Sequence, residues 1–351
     1  MKHFFILNIT ALLQVILLVT ANSQCITCIN TNTFAGITSG SNLITTSTID
    51  NAIDNSFFGR TAGVNVRRGD RNCLFGKDAG VEIRNEQDNS IFGAYAGLKN
   101  TADKNSFYGA YSGTNNTNGT SNSFFGYESG SQNTEGGSNS FFGHGSGKSK
   151  TTGSGNTYVG SEAAGNLQIG SNNTIIGFKA GNDFLGGNNN ILIGAGAGDI
   201  AFAYNDKLYI HNSTSDTPLI YGDFSNEEMI VNGTLEVTGG TAAVSSRASK
   251  QGFFDLDESD VLSKISQMNI QEWSYINHPD QRHVGPVAED FYAAFGLGKN
   301  DKTITTTDMS GVALVAIQAL EKENNTLKES LKEMTYLINK MNDRLQILEE
   351  K

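Results

Sequence analysis

The chain has 351 residues, 40 glycines against three prolines, and a formal net charge of −11. That balance argues against nucleic acid or an anionic membrane surface as partner and suits a solvated extracellular surface. Most glycines fall between residues 59 and 240 with no Gly-X-Y period, which excludes collagen and points to an internal repeat.

At the start, Lys2 and His3 precede an apolar run over residues 4–19, and small residues Ala21 and Ser23 follow. This predicts a secretory signal peptide over residues 1–23, cleaved just before Gln24. Asn8, Thr10 and Gln14 interrupt the run, which is short for a membrane span. No second run of membrane length appears, so the processed chain is expected to be secreted or on the cell surface without an integral membrane segment. Residues 24–54 read as an N-terminal segment. Its Cys25-x-x-Cys28 could close a small loop or link chains, and it lacks the strand–helix context of a redox motif. Cys73 takes a small-residue position of the repeat and is expected to be packed. No cofactor and no metal is expected: no His lies near the Cys pair, and His144, His211 and His278 are scattered.

Residues 55–198 carry one motif nine times: Asn, a small residue (Ile191 in the last copy), two apolar residues, Gly. The Asn positions are 55, 72, 89, 105, 122, 139, 156, 173 and 190, seventeen apart except for one step of sixteen. A second Gly follows four residues after the first, replaced once by Ala164. Such a period predicts nine coils of a β-solenoid, each with a short strand and a glycine corner. The recurring Asn predicts a ladder of stacked amides, structural rather than ligand-binding. Neighbours along a strand face opposite ways, so two consecutive apolar residues make both faces apolar in every coil. One face serves the coil's own core. The other needs a cover, and identical chains around an axis are the simplest one. Two apolar side chains cannot offset the entropy of ordering a whole coil, so stacking and chain association must add to them. The motif also resembles, loosely and with a longer period, the head repeats of trimeric autotransporter adhesins.

Residues 199–244 read as a β neck and linker. The runs KLYI, PLIY, EMIV and TLEV are β-type, Asn232-Gly233 is a hairpin signal, and the small residues from Gly239 to Val244 look like an exposed linker.

Residues 245–312 hold a set of motifs: Ser245 and Lys250 in Ser-x4-Lys spacing, Trp273-x-Tyr275, RHVGPVAEDFYAAFGLG over 282–298, and GVALVAIQAL over 311–320. In this order they resemble the C-terminal intramolecular chaperone domain of phage endosialidases and tail spikes, also found in secreted tail-fibre-like proteins. The resemblance implies a domain that trimerises, drives the upstream chain to fold as a threefold fibre, and in many members cuts itself off beside its serine. It also implies Ser245 as nucleophile, Lys250 as base, and an orienting or structural role for His283. Ser246 stands where the family usually has Asp, and Ser249 where it has Leu.

The last helix is expected from near Ser310 to the end. Apolar residues step by three and four, with Ile317, Asn324, Leu331, Ile338 and Leu345 at a, and Leu320, Leu327, Met334, Met341 and Leu348 at d. This predicts a coiled coil over 313–351, with Asn324 fixing register. The heptad does not choose between two and three strands; the resemblance implies three.

The expected architecture is thus mainly β: a homotrimeric β-solenoid fibre, a short β neck, and a small α+β chaperone domain ending in a trimeric coiled coil. The function expected is structural or adhesive, with the chain itself as partner and a cell-surface component or glycan as ligand. No enzyme acting on an external substrate is expected, only the single-turnover self-cleavage that the resemblance implies. A tail-spike-like enzyme acting on a surface polysaccharide is the alternative, and it requires paired carboxylates in a groove. A self-cleaving transcription regulator requires a basic DNA-binding region and a membrane span, which the sequence lacks.

Overall fold

The computed structural model describes residues 27–29, 31–43, 52–200, 203–238, 243–276 and 278–349. The predicted signal peptide and Cys25 lie outside these residues. The chain divides into two units, Met1–Thr238 and Gly239–Lys351.

One 14-stranded sheet runs through the first unit in sequence order. It opens with an antiparallel pair, β1 (Thr27–Ile29) and β2 (Asn32–Ala35). Nine three-residue strands follow: β3 (Ser56–Phe58), β4 (Cys73–Phe75), β5 (Ser90–Phe92), β6 (Ser106–Tyr108), β7 (Ser123–Phe125), β8 (Ser140–Phe142), β9 (Thr157–Val159), β10 (Thr174–Ile176) and β11 (Ile191–Ile193). Then come β12 (Lys207–Ile210), β13 (Ile220–Asp223) and β14 (Glu228–Val231). From β2 to β12 every pairing is parallel, and each advances by one repeat, as in Phe124↔Phe141. The expected solenoid is therefore present, and stacking puts equivalent residues on top of one another.

The strand sorts the two apolar positions. The first, from Phe57 to Leu192, is fully buried in every coil and makes the core. Its rings stack, with Phe124 and Phe141 4.7 Å apart and Phe141 and Tyr158 4.5 Å apart. The second position points outward and forms its own ladder. Phe58, Phe75, Phe92, Tyr108, Phe125 and Phe142 stack face to face at 4.5–4.8 Å, half-buried to exposed.

The Asn ladder is also present. Asn122 donates its backbone N–H to Asn105 Oδ1 (2.9 Å) and its side-chain amide to Gly136 O (2.8 Å), while its own Oδ1 accepts from Asn139 N (3.0 Å). Each coil is thereby tied to the next and closed on itself, in a core where an unpaired amide would be costly. The first Gly of the motif is required by close approach. Gly126 has φ 142°, and a Cβ there would lie 2.3 Å from Gly143 O.

Three expectations need correction. The stack does not stop at residues 55 and 198: Asn32, twenty-three residues before Asn55, opens an earlier copy, and the KLYI run assigned to the neck is β12, stacked parallel on β11. Asn232-Gly233 makes no hairpin, because no strand follows Val231 among the described residues. The turn lies at 224–227, where Asp223 Oδ1 accepts from Ser225 N (3.1 Å) and Ser225 Oγ (2.8 Å). Lys207 and then Ser225 hold the Asp223 carboxyl well below the usual carboxylate range. The last helix begins at Thr306 rather than near Ser310. Thr305 Oγ1 accepts from Asp308 N (3.0 Å), as an N-cap does.

The second unit contains α1 (Glu258–Gln267), a hairpin of β15 (Gln271–Tyr275) and β16 (His278–Gly285), α2 (Ala288–Phe295) and α3 (Thr306–Glu349). Asp257 caps α1 by accepting from Ser259 N and Asp260 N. The core is small: Val261, Phe291, Val312 and Ala316 are buried, with Leu262, Ile265 and Phe295 packed against them. Beyond Ala319 the apolar residues of α3 are bare, from Leu320 at 53% exposed to Leu348 at 69%. No helix of the described residues is long and apolar enough to cross a membrane.

The glycine corners give a direct test. Gly126→Ala should destabilise the solenoid by about 2 kcal/mol or more, since both φ and space forbid a side chain. Gly145→Ala should cost clearly less, because its Cβ would meet only Glu162 Cγ at 3.7 Å. Thermal melting of the two variants side by side checks this; equal losses would contradict the close-approach account.

Candidate functional site

Val244 is highly exposed and leads into Ser245. A single 3-10 turn, Arg247–Ser249, then folds the chain back. Ser246 Oγ accepts from Ala248 N (3.2 Å), Ser249 Oγ donates to Ser246 O (2.8 Å), and Lys250 N donates to Arg247 O (3.3 Å). Arg247 lies over the Phe253 ring at 4.7 Å. The turn brings Lys250 Nζ to 2.7 Å from Ser245 Oγ. The two residues in which this chain departs from the family pattern are therefore the ones that build the turn. Ser246 fills the capping role for which Asp and Ser are near equivalents.

Both partners of the Ser245–Lys250 pair are exposed. A Ser-Lys dyad acts with a neutral amine, and desolvation is what favours that form. The two side chains are hydrogen-bonded, and the burial a dyad needs is not supplied by these residues.

His283 lies elsewhere in the unit, on β16 opposite Trp273 of β15. The two rings stack at 4.9 Å, and Tyr275 meets His283 edge-on at 5.4 Å. Trp273 Nε1 and His283 Nε2 are enclosed without a hydrogen-bond partner among the described residues. The Ser245–Lys250 hydrogen bond is made without His283.

Several carboxylates of the solenoid pair with cations across the surface, as in Arg71–Asp88, Lys148–Glu128 and Lys179–Glu162. Asp183 N donates to Asp199 Oδ1 (2.5 Å), which favours the carboxylate, but burial outweighs it and, with the nearby Asp183 charge, raises the Asp199 carboxyl above its usual range. These two acids sit on neighbouring coil turns rather than across a groove. No cluster of metal-binding side chains occurs among the described residues. Sequence reasoning passed over Lys150, which is fully buried in the solenoid core. Its signal was its place seventeen residues before Leu167, at a core position of the coil.

Residues 245–296 match the family described as chaperone of endosialidase. The second unit thus carries the intramolecular chaperone domain that the motifs suggested, and the match begins at Ser245 itself. All of α3 lies beyond it. No curated protein and no solved structure matches the chain.

Trp273 is the single tryptophan, so its emission reports the hairpin cluster. His283→Ala should shift that emission to longer wavelength with far-UV circular dichroism unchanged. Unaltered emission would contradict the stacked arrangement.

Proposed function

We propose that the protein is a secreted, tail-fibre-like structural or adhesive fibre of three identical chains, assembled by its C-terminal chaperone domain. The observation that carries this reading is the bare heptad seam of α3, which follows the family-matched residues 245–296 along the chain. A helix of 44 residues with an exposed apolar stripe is stable when copies bury that stripe against each other. The outer ladder of the solenoid supports the same reading. Its ring faces are already used on each other, so what it offers a partner is a long ridged apolar edge. Another copy carries the same ridge at the same pitch.

In this reading the domain holds three chains in register while the solenoids fold, and assembly then covers Lys250. The neutral amine takes the proton of Ser245 Oγ, and the oxygen attacks the carbonyl carbon of the peptide bond to be cut beside it. The amine leaves with a proton, and water hydrolyses the ester, restoring the serine. Cleavage would release the chaperone only from correctly assembled fibres. A surface component or glycan is the ligand expected of such a fibre.

Intact mass and native mass of the secreted protein, beside Ser245→Ala, test this. The expected result is two fragments meeting near residue 245 in the wild type, one full-length chain in the variant, and three-chain assemblies in both. An uncut trimer in both would remove the cleavage step and leave a permanent clamp. A monomer in both would overturn the fibre.

A further inference from the structure

Lys150 sits where other coils bury Val66, Ile83, Leu167 and Phe184. Three coils just upstream place Asn there instead, and these form a second interior ladder. Asn116 Nδ2 donates to Asn100 Oδ1 (2.6 Å), and Asn133 Nδ2 to Asn116 Oδ1 (2.6 Å). The next rung is Lys150. It reaches the other way, donating from Nζ to Gly170 O (2.5 Å), and Asn133 Oδ1 is left buried with no partner among the described residues. Gly153 makes room for the amine, since a Cβ there would lie 2.9 Å from Nζ.

Among the described residues no acid balances this lysine. On its own coil, His144 stacks on Tyr127 at the surface and Lys148 pairs outward with Glu128 of the preceding coil. Glu135 of that coil is exposed, and Glu162 of the following coil pairs with Lys179. Tyr158 is enclosed in the same core, and burial pushes its hydroxyl up, so it stays neutral.

We propose that Lys150 is a pH-sensitive latch in the middle of the solenoid: with its amine neutral the surrounding coils close, and protonation loosens them locally. Burial alone pulls the Lys150 amine down to about 7. An opened coil returns it to the ordinary lysine range near 10.4. The open state therefore binds more protons between those values, and closing gains stability as pH rises through that window. Below about 7 the open and closed states bind protons alike, and the coils stay at their loosest.

Hydrogen exchange of the full-length protein, corrected for intrinsic rates, tests this at pH 7 and pH 9. The opening of peptides within 139–173 should fall by about tenfold or more at the higher pH, with no such change within 55–88. Lys150→Asn, which continues the Asn ladder, and Lys150→Met should each abolish the difference, and Lys148→Met should keep it. A flat wild-type response, or the same slope in the Lys150 variants, would overturn the proposal.

Discussion

Stacking nearly identical coils at the spacing of a parallel sheet, roughly 4.8 Å, sets every side chain of the solenoid on its own counterpart. Each position must therefore tolerate itself as a neighbour. Asn does so by pairing amide with backbone, and flat rings do so by stacking. Glycine does so where backbones nearly touch. Like charges do so at a cost, and one surface position avoids it. The residue before the motif Asn runs Asp54, Arg71, Asp88, Lys104, alternating in sign, and both Asp54 and Asp88 act on Arg71. Lys150 departs from this pattern because its stack changes chemistry at that rung, from Asn above to Leu below.

Each of the two units also presents an exposed apolar surface. A three-residue strand per coil encloses its middle residue and presents the third to solvent, so an apolar outer ridge is a direct consequence of two consecutive apolar residues. The second unit has four enclosed core side chains and a long bare helix. Neither surface suits an isolated chain. A fibre with mostly nonlocal, parallel pairings also folds slowly and exposes edges on the way. In the proposed assembly, a domain that holds copies together early addresses both problems.

Much of the solenoid was legible because period, strand and corner are written into the same five residues. What was not legible has physical reasons. The copy at Asn32 lies twenty-three residues before Asn55 rather than seventeen, and at β12 Lys207 replaces the Asn while its backbone N–H still joins the ladder. Which apolar residue faces inward depends on the closing of the coil rather than on residue type. The helix start rested on Thr305 and Asp308, a capping pair that a heptad count overlooks. At the candidate site, the Ser-x4-Lys spacing became a contact only because Ser246 and Ser249 build a tight turn. His283 was grouped with it by family pattern, yet its surroundings are set by the hairpin. A buried lysine such as Lys150 carries no local signal; only alignment of the coils reveals that its position is interior.

The most direct test of the account is hydroxyl-radical footprinting of the outer ladder, in the native protein and in a Leu331→Pro variant that breaks α3. The account predicts that Phe75, Phe92 and Phe125 are protected in the native protein and oxidised in the variant. Equal, ready oxidation of these rings in both would contradict the claim that copies of the chain cover them.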